Sequence, residues 1–551
     1  MLSLLARTAL VLSLASSVLP VVQADRLGAV TKPRGYDSRV INQRPVEEAK
    51  QKPKRGDSDQ GPLKKKKCNP DVLPCPEHAH FRFLTKATTP FLVNNLPDVK
   101  YDIGEMYSGL IPINKQDPDR SLFFVFQPTD GPRVDEVTIW LNGGPGCSSL
   151  IGFFQENGRF TWSPGMSEPA YNPYSWVGLT NVLWVDQPAG AGYSMGDPMA
   201  ESDEDVAEEF ADFFLNFQRT FGISNFKIYL AGSGYAGRYV PYISAEMLQR
   251  KNKKHFDVKG ALMYDATIGS HDVIQREAVA YPYLEAWNNV LGLNSSFREQ
   301  LKAVDKRCGH AEYREKYLRF PATEKQPATA ALAEECAIFR VTSDAASKVN
   351  PCFNPYDIRL QCPLLNDPLG VPTRWLTTHD SYSGPTPYFD RDEVKAAMHA
   401  PATFWQACTE DVILGHPHDN PSSDSIQKVL PALIEATNRV LVSNSALNYM
   451  MITDGALLSI QNMTWGGKLG FQAKPETPIV ITLPNLQYQQ SFGASKKDAS
   501  YGSEQGTMGV QHYERGLMWA ETFSSGHQQS RSQPRSSFRH LQWVLGHIQE
   551  L

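Results

Sequence analysis

Short apolar runs rich in β-branched and aromatic residues recur along the chain between polar and glycine-containing breaks. Tyr107-Ser-Gly109 and Leu122-Phe-Phe-Val-Phe126 read as early antiparallel strands. Val137-Thr-Ile-Trp-Leu141, Phe226 to Ala231, Gly260 to Tyr264 and Arg439-Val-Leu-Val442 read as further strands. Ala200 to Phe217 follows the other period: Val206, Phe210, Phe213, Phe214 and Phe217 share a face and acids occupy the opposite one. That spacing predicts an amphipathic helix lying on the sheet. From about His271 to Ser383 the strand rhythm gives way to helical patterns, prolines and four of the eight cysteines, which reads as an insertion.

Two glycine-rich turns interrupt this pattern. In Leu230-Ala-Gly-Ser-Gly-Tyr-Ala-Gly-Arg-Tyr-Val-Pro241 an apolar strand runs into a tight turn and then a helical pattern. Strand, sharp turn and helix form the setting of a nucleophile elbow, in which a serine is held at the apex of a strained turn. With Gly232 as the entry glycine, the apex is Gly234, and Ser233 falls one place early. The second turn, Asn142-Gly-Gly-Pro-Gly-Cys-Ser-Ser149, follows the strand ending at Leu141. Its glycine density lets backbone N–H groups turn inward and approach a ligand closely.

Both turns resemble signatures of the serine carboxypeptidases. The first is similar to G-E-S-Y-A-G-x-Y-V-P at Gly232, Tyr235, Ala236, Gly237, Tyr239, Val240 and Pro241, but Ser233 replaces the glutamate and Gly234 the nucleophilic serine. The second resembles W-L-N-G-G-P-G-C-S-S at every position from Trp140 to Ser149. Asn172-Pro-Tyr-Ser-Trp176, Asn181 to Pro188 and Gly190-Ala-Gly-Tyr-Ser194 resemble the next strand and its exit loop; Ser194 has no adjacent base and is not a nucleophile candidate. Ser443-Asn-Ser-Ala-Leu-Asn-Tyr449 is similar to H-G-x-L-D-Y, with Asn448 at the triad acid and Ser445 at the glycine. Ser525-Gly-His527, with Gln533 and Pro534, resembles G-H-M-V-P-x-x-Q-P; Gln528-Gln-Ser530 replaces M-V-P, and His527 is the triad member that remains. Cys308-Gly-His, Tyr317-Leu-Arg-Phe-Pro321 and Gln461 to Gly467 point to the fungal secreted branch.

The resemblance implies an α/β-hydrolase fold: a central mixed, mostly parallel sheet with a disulfide-stapled helical insertion acting as a lid. It implies that Gly144 and Tyr235 supply oxyanion N–H groups, and that Asn142, Gly143 and Glu156 hold a substrate carboxylate. In the family the glutamate at Glu156 pairs with that of G-E-S, and two acids so close share a proton. With Ser233 as partner, Glu156 is expected to stand as an isolated, solvated acid. The resemblance also implies a Cys147–Cys408 disulfide; for the other cysteines the sequence leaves the pairing open.

At 551 residues and 41% hydrophobic content the chain can bury a large core. A net charge of −5 gives no case for nucleic acid. Residues 1–24 read as a signal peptide, with Arg7, an apolar run from Ala9 to about Val22, and Val22-Gln-Ala24 as a small-residue cleavage site. Residues 25–80 are polar and basic, with Lys52-Pro-Lys-Arg55 and Lys64 to Lys67, and read as a solvated segment or a propeptide cut near Arg55. The remaining divisions are core at 81–270, lid at 271–383 and core again at 384–551. No later run suits a bilayer span, and no cofactor or zinc spacing is expected. Export, to the outside or to a vacuole, makes disulfides natural. It also makes Asn294-Ser-Ser and Asn462-Met-Thr glycosylation sequons.

These substitutions remove the chemistry that the family resemblance implies. A triad needs serine to attack, histidine to take its proton and an acid to fix the imidazole. The sequence therefore predicts an inactive carboxypeptidase relative that keeps a cleft for a peptide or protein C-terminus. The alternative is a carboxypeptidase or acyltransferase using Ser233 as a shifted nucleophile with His527. Oligomeric state is not legible.

Overall fold

The computed structural model describes residues 81–328, 332–371, 385–414, 421–481 and 506–551. The signal peptide, the basic segment, Cys68, Cys75 and the insertion's expected end at Ser383 lie outside them.

Fourteen strands are present among the described residues. They are β1 (Tyr107–Asn114), β2 (Asp117–Gln127), β3 (Glu136–Leu141), β4 (Phe160–Thr161), β5 (Ala170–Tyr171), β6 (Asn181–Val185) and β7 (Lys227–Ser233), followed by β8 (Asp257–Tyr264), β9 (Val440–Ser445), β10 (Thr464–Trp465), β11 (Lys468–Leu469), β12 (Thr477–Ile481), β13 (Gly506–Glu514) and β14 (Leu517–Thr522). Ten of them form one sheet in the order β1-β2-β6-β3-β7-β8-β9-β14-β13-β12, and β4–β5 and β10–β11 are separate ribbons. The six strands from β6 to β14 are mutually parallel, and the pairs at both edges are antiparallel. This is the mixed, mostly parallel sheet of the α/β-hydrolases.

Side chains of the central strands alternate between two buried faces. Val137, Ile139 and Leu141 of β3, with Ile228 and Leu230 of β7, join a core cluster that includes Val206, Phe210 and Phe217. Trp140, Tyr229 and Ala231 enter the opposite cluster. Burial on both faces explains why these strands read as continuous apolar runs.

Helix α1 is the short Leu150–Gln155, α2 is Asp203–Phe221 and α3 is Ala236–Gln249. The start of α2 is set by Ser202, whose side chain accepts from Asp205 N, and it ends at Gly222 in the left-handed conformation. Ser202→Ala is expected to cost about 1 kcal/mol of stability. The midpoint of urea unfolding reads this directly, and an unchanged midpoint would show that the cap contributes nothing.

Between β8 and β9 come α4 (Ala278–Leu291), α5 (Ser295–Arg307), α6 (His310–Tyr317) and α7 (Ile338–Val349). Disulfides Cys308–Cys336 and Cys352–Cys362 staple this region. Its own cluster, including Leu284, Ile338 and Phe339, closes over Tyr449, Met450 and Met451. The insertion thus packs on the loop that carries Asn448.

Candidate active site

The five central strands β3, β7, β8, β9 and β14 deliver the site from their carboxyl ends, where open α/β sheets place ligands. Loop 142–149 leaves β3, Gly234 follows β7, Asp265 follows β8, Asn448 follows β9 and His527 follows β14.

The first loop is held in three ways. Asp186 accepts from Ser148 Oγ at 2.7 Å, Ser149 N at 2.8 Å and Tyr193 N at 2.9 Å. Burial nonetheless raises its carboxyl to about 6. Cys147 is bonded to Cys408, the pairing the resemblance implied. Asn142 Oδ1 accepts from Trp140 Nε1 at 2.6 Å. The loop also lies hard against the elbow: a Cβ on Gly143 would sit 2.4 Å from both Ser233 O and Tyr235 N. Only glycine permits that approach. Tyr235 turns its hydroxyl away from the loop to Asp203 Oδ1, 3.0 Å away, so its backbone rather than its side chain faces Gly143.

Gly234 occupies the elbow apex with φ +63°. A Cβ built there would meet His527 Nε2 at 3.3 Å and Cε1 at 3.4 Å, so the apex position faces the imidazole. Gly234→Ala is expected to lower the unfolding free energy by about 1 to 2 kcal/mol because left-handed backbone crowds a Cβ. Calorimetric or urea melts check this, and an unaltered melt would mean the turn relaxes freely. Ser233, the last residue of β7, is buried at 5% exposure.

The imidazole of His527 is positioned by three contacts. Its N–H on the backbone donates to Tyr356 O at 2.8 Å, its ring meets the Tyr356 ring edge-on with centroids 5.0 Å apart, and its Nδ1 lies 3.0 Å from Asn448 Nδ2. Asn448 has one orientation open to it. Its Oδ1 accepts from Met450 N at 3.1 Å and Met451 N at 3.2 Å, so its amide N–H2 is the end turned toward His527. An amide N–H requires an acceptor, which makes Nδ1 the unprotonated nitrogen and places the ring proton on Nε2. Burial lowers His527 to about 4, keeping the ring neutral above that. A serine triad needs the reverse tautomer, with Nδ1–H on the acid and a free lone pair on Nε2.

Several departures from the family pattern converge on one buried acid, Asp265. It accepts from Ser445 N at 2.8 Å, Ser445 Oγ at 2.7 Å and Gln529 Nε2 at 3.2 Å, and it also hydrogen-bonds the Asn448 side chain. Burial raises its carboxyl to about 7. Ser445 and Gln529 stand where the motifs carry glycine and valine, so both substitutions supply donors to Asp265. The sequence reading missed this residue. Its signal was an acid placed directly after a buried apolar strand, at the end of the sheet where sites form.

Glu156 departs from its expectation. It is 2% exposed and not solvated, because α1 runs into the core and carries it there. Neither carboxyl oxygen has a hydrogen-bond partner among the described residues. Burial raises its pKa to about 8, opposed by the charge of Arg531. Arg531 donates from Nη1 to Gln155 Oε1 at 3.4 Å, and Gln155 in turn donates to Asp367 at 2.9 Å. Arg531, at an unassigned position of the histidine motif, was also missed.

The remaining expected positions lie apart from this centre. Ser194 is structural: it donates to Asp186 O at 2.6 Å and accepts from Phe123 N at 2.8 Å. Asn294 is exposed and caps α5, accepting from Phe297 N. Asn462 is half-buried, and its Oδ1 accepts from Gln326 N at 2.9 Å. Among the described residues no cluster of His, Cys, Asp or Glu is arranged to hold a metal ion, and no helix is long and apolar enough to cross a membrane.

Comparison with known proteins places this arrangement in a lineage. The chain is 52% identical over 474 residues to the serine-type carboxypeptidase F of Aspergillus niger, an alignment covering 85% of this chain and 88% of the relative. It is 38% identical over 468 residues to a probable serine carboxypeptidase of Arthroderma benhamiae, covering 83% and 86%. The crystal structure of a prohormone-processing carboxypeptidase from Saccharomyces cerevisiae superposes with a TM-score of 0.63 at 21% identity, over 84% of this chain and 96% of that one, and shares the fold. The family model described as serine carboxypeptidase matches residues 97–547. With the family model spanning most of the chain and a relative at this level of identity, the protein belongs to the serine carboxypeptidase family.

Proposed function

We propose that this chain is a serine-carboxypeptidase-family protein that binds peptide C-termini and does not cleave them. The observation that carries this reading is the apex of the elbow, where Gly234 offers His527 no oxygen to activate. The tautomer set by Asn448 supports it, since a protonated Nε2 cannot accept a proton from a nucleophile.

The binding apparatus is retained. Gly144 and Tyr235 are assigned the oxyanion amides, and Asn142, with its oxygen engaged by Trp140, keeps its amide N–H2 for a ligand. Glu156 is neutral below about pH 8 and has a buried, unpartnered hydroxyl to donate to a ligand carboxylate. Arg531 adds positive charge beside it. We assign the chain to the lumen of the secretory pathway, secreted or vacuolar, where its disulfides Cys147–Cys408, Cys308–Cys336 and Cys352–Cys362 persist.

The test pairs turnover with labelling. Purified protein is assayed on N-blocked dipeptides from acid to neutral pH and treated with a serine-directed organophosphate. No release and no label at Ser233, together with saturable binding of the same dipeptides, is the expected result. Release that Ser233→Ala abolishes would overturn it and establish a shifted nucleophile.

A further inference from the structure

The inverted imidazole changes which ligand group the centre accepts. In a triad enzyme the histidine returns its proton from Nε2 to the leaving amine, so the nitrogen of the scissile amide lies opposite Nε2. Here Nε2 already carries the proton, and the nitrogen of an intact amide in that register, its lone pair delocalised, offers it no acceptor. A carboxylate has acceptors alone and meets no such conflict. The space is also different. Where a side chain at 234 would begin, 3.3 Å from Nε2, there is none, leaving room for an oxygen beside the ring. The Gly143 backbone and the amino end of α3 border the same turn, and a helix amino end favours negative charge.

We propose that the former catalytic centre is itself a carboxylate site, which holds the terminal carboxylate of a peptide or N-acyl amino acid at the elbow. One carboxylate oxygen takes the oxyanion position against the loop amides, and the other takes the place of the absent serine oxygen and accepts from His527 Nε2–H. This register is one residue shorter than that of a carboxypeptidase substrate, whose terminal carboxylate extends to Asn142, Gly143 and Glu156. Asp265 is the positioning residue: its hydrogen bond to the Asn448 side chain, with the two amides on Oδ1, keeps the N–H2 facing Nδ1. The inference rests on the reading of the cleft as a peptide C-terminus site.

Nitrogen NMR of full-length protein labelled in histidine, with His527→Asn to assign the signal, tests it. The probes are acetate and acetamide, which make no demand on side-chain preference. The free protein should show the proton on Nε2. Acetate should shift the Nε2 signal saturably and acetamide should not. Gly234→Ala, which fills the second oxygen's place, should weaken the acetate response about tenfold or more, the expected loss of a hydrogen bond to a charged group. A proton on Nδ1, or equal responses to acetate and acetamide, or no response at all, overturns the proposal in the native chain, without recourse to any variant that fails to fold. An acetate response kept in Gly234→Ala and lost in Glu156→Leu, which has no donor, would put the carboxylate in the longer register and overturn it too. Turnover of dipeptides would instead refute the binding reading, whatever the tautomer.

Discussion

Gly234→Ser/Asn448→Asp is expected to release C-terminal residues from N-blocked dipeptides, about 10⁶ faster than the native chain, the factor lost with a nucleophile. Gly234→Ser alone should fall about 10⁴ short of the double variant. The difference follows from the position of one proton. A serine at 234 starts 3.3 Å from Nε2, so its hydroxyl lies within reach of the ring. With Asn448 in place, Nε2 holds a proton and cannot take another from that hydroxyl. An aspartate at 448 keeps one oxygen on the amides of Met450 and Met451 and turns the other to Nδ1, which then carries the ring proton. Asp265 lies beside this position and is already raised to about 7 by burial. Two neighbouring carboxyls share a proton, so Asp265 retains it and the carboxylate introduced at 448 bears the charge. Steady-state release across pH 4 to 7 measures both variants. A double variant that melts like the native chain and stays inert would show that more than these two side chains was lost.

The sequence made the elbow legible because turn chemistry is local: Gly232 and Gly234 bracket a strand end, and the structure puts Gly234 at φ +63° facing His527. Strands β3, β7 and β8 were legible through composition, since burial on both faces demands apolar runs. The network around Asp265 was not. Ser445, Asn448 and Gln529 come from two distant segments, and nothing in their local patterns says that they meet one carboxyl. The hairpin of β13 and β14 also escaped. Its two-residue turn, Arg515 and Gly516, has both residues at positive φ, at 51° and 88°, the geometry that usually announces itself as Asn-Gly. Arginine in the first place hides it.

Four departures from the family motifs, Gly234, Ser445, Asn448 and Gln529, form one system in space although they are scattered in sequence. Loss of the acid at 448 would leave His527 free to turn, but Asn448 is clamped by two backbone amides and by Asp265. The glycine at 234 relieves a left-handed turn that a serine would strain. Each substitution that removes a catalytic atom therefore leaves a packed and hydrogen-bonded centre. That packing is why reversion at two positions is a fair test.

Glu156→Gln is expected to stabilise the protein, and increasingly so as pH rises. Glu156 is 2% exposed, and its pKa rises from an ordinary 4.5 to about 8. Between those values the folded chain keeps a proton that the unfolded chain has released, so stability falls as pH climbs from about 4.5 to about 8. Each unit of pH inside the window is worth about 1.4 kcal/mol, giving a penalty of about 3 kcal/mol at pH 7 and under about 1 at pH 5. Glutamine is neutral throughout and removes that slope. Asp265 and Glu521, each raised to about 7 by burial, add slopes of the same sign, but they are common to both proteins and cancel in the difference. Urea unfolding of the two proteins at pH 5 and pH 7 therefore isolates Glu156. Parallel losses would mean that its carboxyl is ionised and hydrated after all.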